Sequence, residues 1–205
     1  MPKNLLALVL TCICCTGCMT TPALPEQQRP SAWAQPLGAQ HNFYQVSPIL
    51  FRSEQPDQQL AALLQQHDID VVINLRPKAT DAEPLQQHGL QSVHLPIHTW
   101  AIDREDLLQV MQQIQTAQAQ QQKVLIHCYH GADRTGASVA MYRIMFEHWP
   151  VEQALAEMKY GGFGFHPIWV NIDALFRPEN IKWIRQQLSN PSNENSRQDT
   201  DRLDN

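Results

Sequence analysis

The stretch that most constrains the fold runs from Val124 to Trp149. Val124-Leu125-Ile126-His127 is a short apolar run of strand type. Thr135 to Trp149 places Ala137, Ala140, Met141, Ile144 and Met145 at helical spacing, with Pro150 as its stop. Only the residues from Cys128 to Arg134 separate the two. A strand that passes so directly into a helix leaves the first N–H groups of the helix unpaired and converging on one point. The helix dipole adds positive potential there, so the junction is an anion site. Gly131 lets the loop curl inward without a side chain in the way. Arg134 adds a planar fork of donors that matches two oxygens of a phosphate. Cys128 opens the loop and faces the centre of the anion. The same field favours the thiolate over the thiol, which sets a nucleophile beneath a bound phosphate.

Around this junction the chain alternates strand-like and helix-like segments. Asn42 to Val46 and Ile49 to Arg52 read as short strands about a Ser47-Pro48 turn, and Pro56-Asp57 opens a helix to about His67 with Asp57 as its N-cap. Asp70 to Leu75 is a buried strand, Asp81 to His88 a short helix regular only after Pro84, and Gln91 to Pro96 another strand. Asp103 to Gln120 carries Leu107, Val110, Met111 and Ile114 on one face and glutamines on the other. Helices follow at Val151 to Lys159, Ile168 to Phe176 and Pro178 to Leu188. The order predicts an α/β fold, with a mostly parallel central sheet flanked by helices. With 205 residues, 43% of them hydrophobic, the chain supports one domain, placed at 41–188. The formal net charge of -5 gives no basic face for nucleic acid.

The ends read differently. Lys3, the apolar run Leu5 to Ile13 and Cys15-Thr16-Gly17-Cys18 resemble a bacterial lipoprotein signal over 1–17, with cleavage before Cys18 and a lipid on that cysteine. The alternative is an ordinary secretory signal. Met19 rather than Asp follows Cys18, which in a Gram-negative source points to the outer membrane, facing the periplasm. Residues 18–40, with Pro22, Pro25, Pro30 and Pro36, read as an extended tether. Residues 189–205 read as a disordered polar tail. Four of the five cysteines, Cys12, Cys14, Cys15 and Cys18, lie in the signal region, so Cys128 is the lone free thiol of the domain and no internal disulfide forms.

His127-Cys128-Tyr129-His130-Gly131-Ala132-Asp133-Arg134-Thr135-Gly136 resembles the His-Cys-x5-Arg-Ser/Thr signature of the cysteine-dependent phosphatase superfamily. Phe51 to Pro56, Val72 to Arg76 and Tyr160 to Trp169 resemble stretches of its bacterial dual-specificity branch. The resemblance implies a protein-tyrosine-phosphatase-like fold and hydrolysis of phosphate monoesters through a phosphocysteine, with no cofactor and no metal. It implies Cys128 as nucleophile and Arg134 as phosphate clamp. The backbone N–H groups of Tyr129, His130, Gly131, Ala132, Asp133 and Arg134 form the phosphate cradle. Thr135 bonds the thiolate, and His127 supports the loop. The family draws its general acid from the loop before the helix that precedes the Cys strand. Here that loop holds His98 and Thr99 at the usual spacing and its first carboxylate at Asp103, which equally caps the next helix. Asp133, directly before Arg134, is the other candidate, and His98 stands behind both.

Substrates in keeping with these residues are a phosphorylated protein or a small phosphomonoester. A phosphoinositide phosphatase uses the same loop but commonly sets lysines in it, where this chain has His130 and Ala132. An arsenate reductase needs further cysteines. A non-catalytic phosphate-binding protein does not need both Cys128 and Arg134. Arg52 and Arg76, at strand ends, either face the pocket or form ion pairs. Trp100 and Trp169 wall a cleft or fill core, and His166 ends a glycine-rich loop that packs near the site.

Overall fold

The computed structural model describes residues 20–38, 40–78 and 82–190. The signal 1–17, Cys18 and nearly all of the polar tail lie outside them. Six strands, β1 (Gln35–Pro36), β2 (Tyr44–Gln45), β3 (Leu50–Ser53), β4 (Val71–Asn74), β5 (Gln91–His94) and β6 (Val124–His127), form one sheet in the order β1-β2-β3-β6-β4-β5. β1, β2 and β3 pair antiparallel, and β3, β6, β4 and β5 pair parallel. The expected mostly parallel sheet is present.

Strand alternation sorts the core into two layers. Phe51, Val72 and Leu125 face one way and meet Leu60 and Leu64 of α1 (Gln58–Gln66) and Leu85 of α2 (Ala82–Gln87). Leu50, Ile73 and Ile126 face the other way. They pack with α3 (Arg104–Ala119), α4 (Asp133–Met145), α5 (Val151–Tyr160), α6 (Val170–Ala174) and α7 (Pro178–Leu188). β4 and β6 are buried along their whole length, as central strands covered on both faces should be. α4 is buried at every position. Its Gly136, Ala137, Ser138 and Ala140 let β6, α3 and α5 close around it. The helix ends at Met145, one turn before the expected proline stop. His148 turns left-handed (φ 58°), and the Trp149 N–H returns to the Arg143 carbonyl at 3.0 Å.

The proline-rich stretch is no tether over its described part. Thr21 N–H donates to Phe165 O at 2.7 Å and Leu24 N–H to Tyr160 O at 2.9 Å. Trp33 and Ala34 are buried, and Gln35–Pro36 adds an edge strand, a place where proline's missing N–H does no harm. What holds this strap down is a buried ion pair that sequence spacing alone does not reveal. Glu157 of α5 meets Arg143 of α4 through two bonds of 2.8 Å, and its Oε1 also accepts the Ala34 N–H at 2.6 Å. The Arg143 Nη2 in turn donates to Ala32 O. Removing one partner of a buried pair strands the other. Glu157→Gln is expected to cost about 3–5 kcal/mol, read in urea as a lower midpoint at unchanged slope.

Candidate active site

β6 delivers Cys128 to the floor of a loop that closes at the first turn of α4. The thiol is 2% exposed. The loop's carbonyls are tied outward one after another. Tyr129 O accepts from Gln55 N–H (3.1 Å), His130 O from Asn42 Nδ2 (2.8 Å) and Gly131 O from Arg52 Nη2 (2.6 Å). A trans peptide sets its N–H opposite its C=O, so the N–H groups of His130, Gly131 and Ala132 turn inward. None of them donates to another backbone carbonyl among the described residues. Inward N–H groups at a strand-to-helix junction can receive an anion. Gly131 has to be glycine: its φ is 70°, and a Cβ there would lie 2.4 Å from Ser53 O.

Arg134 is aimed by its Nη1, which donates to Leu75 O (3.1 Å) and Ile97 O (3.0 Å). These carbonyls follow β4 and β5, so two strand ends fix the guanidinium plane. Its Nε is buried without a hydrogen-bond partner, the state of a donor kept for an anion. His127 is fully buried, and its Nδ1 lies 3.1 Å from Cys128 O, consistent with support of the loop. Thr135 Oγ1 is buried but makes no hydrogen bond, so the expected bond to the sulfur is not formed in this structure.

The acid candidates separate. Asp103 caps α3: its Oδ1 accepts Asp106 N–H at 2.9 Å, and Asp106 Oδ2 accepts Asp103 N–H at 3.1 Å, a reciprocal capping box. No hydrogen bond or ion pair links Asp103 to the loop among the described residues. His98 is exposed, its ring tilted 33° to that of Trp100 with centroids 4.6 Å apart. Asp133 is buried and gripped by His166, whose N–H donates to Oδ1 (2.9 Å) and whose Nδ1 lies 2.8 Å from Oδ2. The His166 ring also neighbours His130 (5.7 Å).

This architecture is matched by sequence. Residues 50–169 fit the family model "Dual specificity phosphatase, catalytic domain". The chain belongs to the dual specificity phosphatase family. It is 36% identical over 162 residues to the dual specificity protein phosphatase TpbA of one Pseudomonas aeruginosa strain and 37% identical to that of another, spanning 79% of this chain and 73% of each relative. A crystal structure of P. aeruginosa TpbA superposes with a TM-score of 0.72 at 36% identity, over 79% of this chain and 99% of that one. A second, of a Cys-to-Ser TpbA in complex with pTyr, superposes equally well. PTPMT1, 18% identical, shares the fold with a TM-score of 0.57 over 72% of this chain and 98% of its own. As a cysteine-dependent phosphatase of this family, the chain hydrolyses phosphate monoesters.

One contact of the site has no signal in the sequence. Asn42, whose Nδ2 joins His130 O to Phe163 O, sits in a turn with no periodic signal. Arg52 forms no ion pair among the described residues. It reaches into the loop instead. Arg76 lies over the Tyr129 ring at 5.2 Å. Trp100 is 67% exposed, and Trp169 packs partly against the core.

Proposed function

We propose that this phosphatase acts on phosphotyrosine in protein, with Cys128 as nucleophile. The observation that carries the reading is the loop whose carbonyls are all tied outward above a buried thiol. In the first step the Cys128 sulfur attacks phosphorus, the P–S bond forms and the P–O bond to the substrate breaks. Arg134 binds equatorial oxygens through Nε and its free edge, and the leaving oxygen takes a proton from the Asp133–His166 pair. Water then attacks the phosphocysteine and returns a proton to the Asp133–His166 pair, the P–O bond forms, the P–S bond breaks, and inorganic phosphate leaves with the thiolate restored. In this reading Thr135, whose buried hydroxyl has no hydrogen-bond partner, turns to bond the sulfur as it departs.

An aryl phosphate suits the rim. Trp100 and Tyr129 stand exposed, and the loop offers Ala132 and His130 rather than extra cations for a second phosphate. The pTyr complex of TpbA points the same way. Measuring kcat/KM on phosphotyrosine peptide, phosphothreonine peptide and a phosphoinositide tests this. Phosphotyrosine is expected to lead, and a preference for the phosphoinositide would overturn it.

The same proposal places the enzyme on a membrane through a lipid at Cys18, exported to the periplasmic side. Among the described residues no helix is long and apolar enough to cross a membrane. The sequence around Cys18 supports the lipid, and mass spectrometry of the mature N-terminus checks it. An unmodified Cys18 or an intact Met1 would refute the anchor and leave the catalytic reading standing.

A further inference from the structure

Arg52 is the largest fully buried side chain among the described residues, and its charge has no ion-pair partner among them. It projects from β3, where it pairs in register with Ile126, two residues before Cys128. Only Nη2 is hydrogen-bonded, to Gly131 O at 2.6 Å, while Nε and Nη1 are buried without partners. The guanidinium carbon lies 3.6 Å from the centre of the Phe163 ring, which the Tyr44 ring braces edge-on. Burial pulls the guanidinium down to about 10, and negative charge on Glu157 and then on Cys128 opposes the fall. The residue therefore remains a cation at neutral pH.

A buried cation is tolerated only against a counter-charge. Glu157 is the nearest carboxylate in effect, but both its oxygens are already taken by Arg143 and the Ala34 N–H. The second Arg143 carboxylate, Glu147, sits partly exposed on the far side of Arg143 from this pair of contacts. Two deeply buried arginines thus face one fully buried glutamate, which is taken up by Arg143, and Arg52 itself makes no ion pair among the described residues. The other ionisable groups around the loop are Arg134 in α4, held by carbonyls; His127 in β6; Tyr129 and His130 in the loop, with Arg76 over the Tyr129 ring; and Asp133, held by His166. Tyr44 in β2 faces Arg52 itself.

We infer that Arg52 is a positioning residue for the Cys128 thiolate. Its buried positive charge, fastened to the Gly131 carbonyl, is the counter-charge that keeps the sulfur anionic before phosphate arrives. The same bond holds Gly131 O outward and so turns the Ala132 N–H into the cradle. The inference rests on Cys128 as nucleophile, but its test reads the thiol itself and not turnover.

The test follows iodoacetamide alkylation of Cys128 in the full chain against pH, with the Cys128 peptide resolved by mass spectrometry from the N-terminal cysteines. Wild type is expected to react readily near pH ~6 and to be protected by phosphate. Arg52→Met is expected to react about 10-fold more slowly at that pH and equally fast near pH ~9, with its melting transition retained. Arg52→Lys, which keeps the charge and loses the fork, is expected to stay within about 3-fold of wild type near pH ~6. A folded Arg52→Met whose profile superimposes on wild type would overturn the inference. If that variant does not fold, an Arg52→Lys profile that rises only near pH ~8.5 would overturn it equally.

Discussion

Cys128→Ser is expected to lower turnover of nitrophenyl phosphate by more than about three powers of ten while leaving phosphate or vanadate bound. The two halves of that result have separate structural causes. The cradle is built from backbone: three loop carbonyls are held outward by Gln55, Asn42 and Arg52, and Arg134 is aimed by Leu75 O and Ile97 O. None of these contacts involves the sulfur, so serine leaves them in place. The nucleophile alone is lost, because a serine hydroxyl is not ionised at neutral pH. Calorimetry of vanadate binding beside steady-state rates separates the two. Turnover within about tenfold of wild type would remove Cys128 from the chemistry. Loss of anion binding together with turnover would mean that the sulfur shapes the cradle.

The second large effect concerns the proton for the leaving oxygen. Asp133→Asn is expected to cost roughly 10²–10⁴-fold on an alkyl phosphate and much less on nitrophenyl phosphate, because an acid matters most when the departing oxygen is basic. Asp133 earns the role by location and by company. It is fixed directly before Arg134, and its Oδ2 stands 2.8 Å from His166 Nδ1, a separation that holds one proton between two atoms. Asp103→Asn is expected to be nearly silent on both substrates and on stability, since asparagine caps a helix about as well as aspartate. Measuring both variants on both substrates decides the matter. Equal losses for Asp133→Asn on the two substrates would make Asp133 a brace between the phosphate loop and the 161–166 loop. A steep leaving-group dependence for Asp103→Asn would reverse the assignment.

The parts of this molecule that the chain announces are those with local causes. Val124 to His127 and Pro178 to Leu188 appear with the expected bounds, and Asp57 and Asp103 cap the helices that they precede, since periodicity and capping act within a few residues. The cradle followed from a strand meeting a helix around one glycine. What stayed hidden joins distant polar residues. Asn42 reaches His130 across 88 positions and His166 reaches Asp133 across 33, and neither residue belongs to a repeating pattern. Arg52 carries no mark in the sequence to distinguish a surface ion pair from a buried cation. The strap misled because prolines favour extended backbone whether it runs free in solvent or along a surface. Its docking depends on Glu157, more than 120 residues away, offering a carboxylate oxygen to Ala34.

The two short strands of that N-terminal region also determine where the molecule can be cut. β1 and β2 lie outside β3 and shield it from solvent, although the family match begins only at residue 50. A fragment begun there would keep every loop residue named above and lose the shield. Leu50, Phe51 and Arg52, all buried in the intact chain, would then line an open sheet edge with unpaired N–H and C=O groups. Such an edge invites pairing with another copy of itself. The smallest fragment expected to remain monodisperse therefore starts near Thr20, ahead of the first strand, and not at the border that similarity draws.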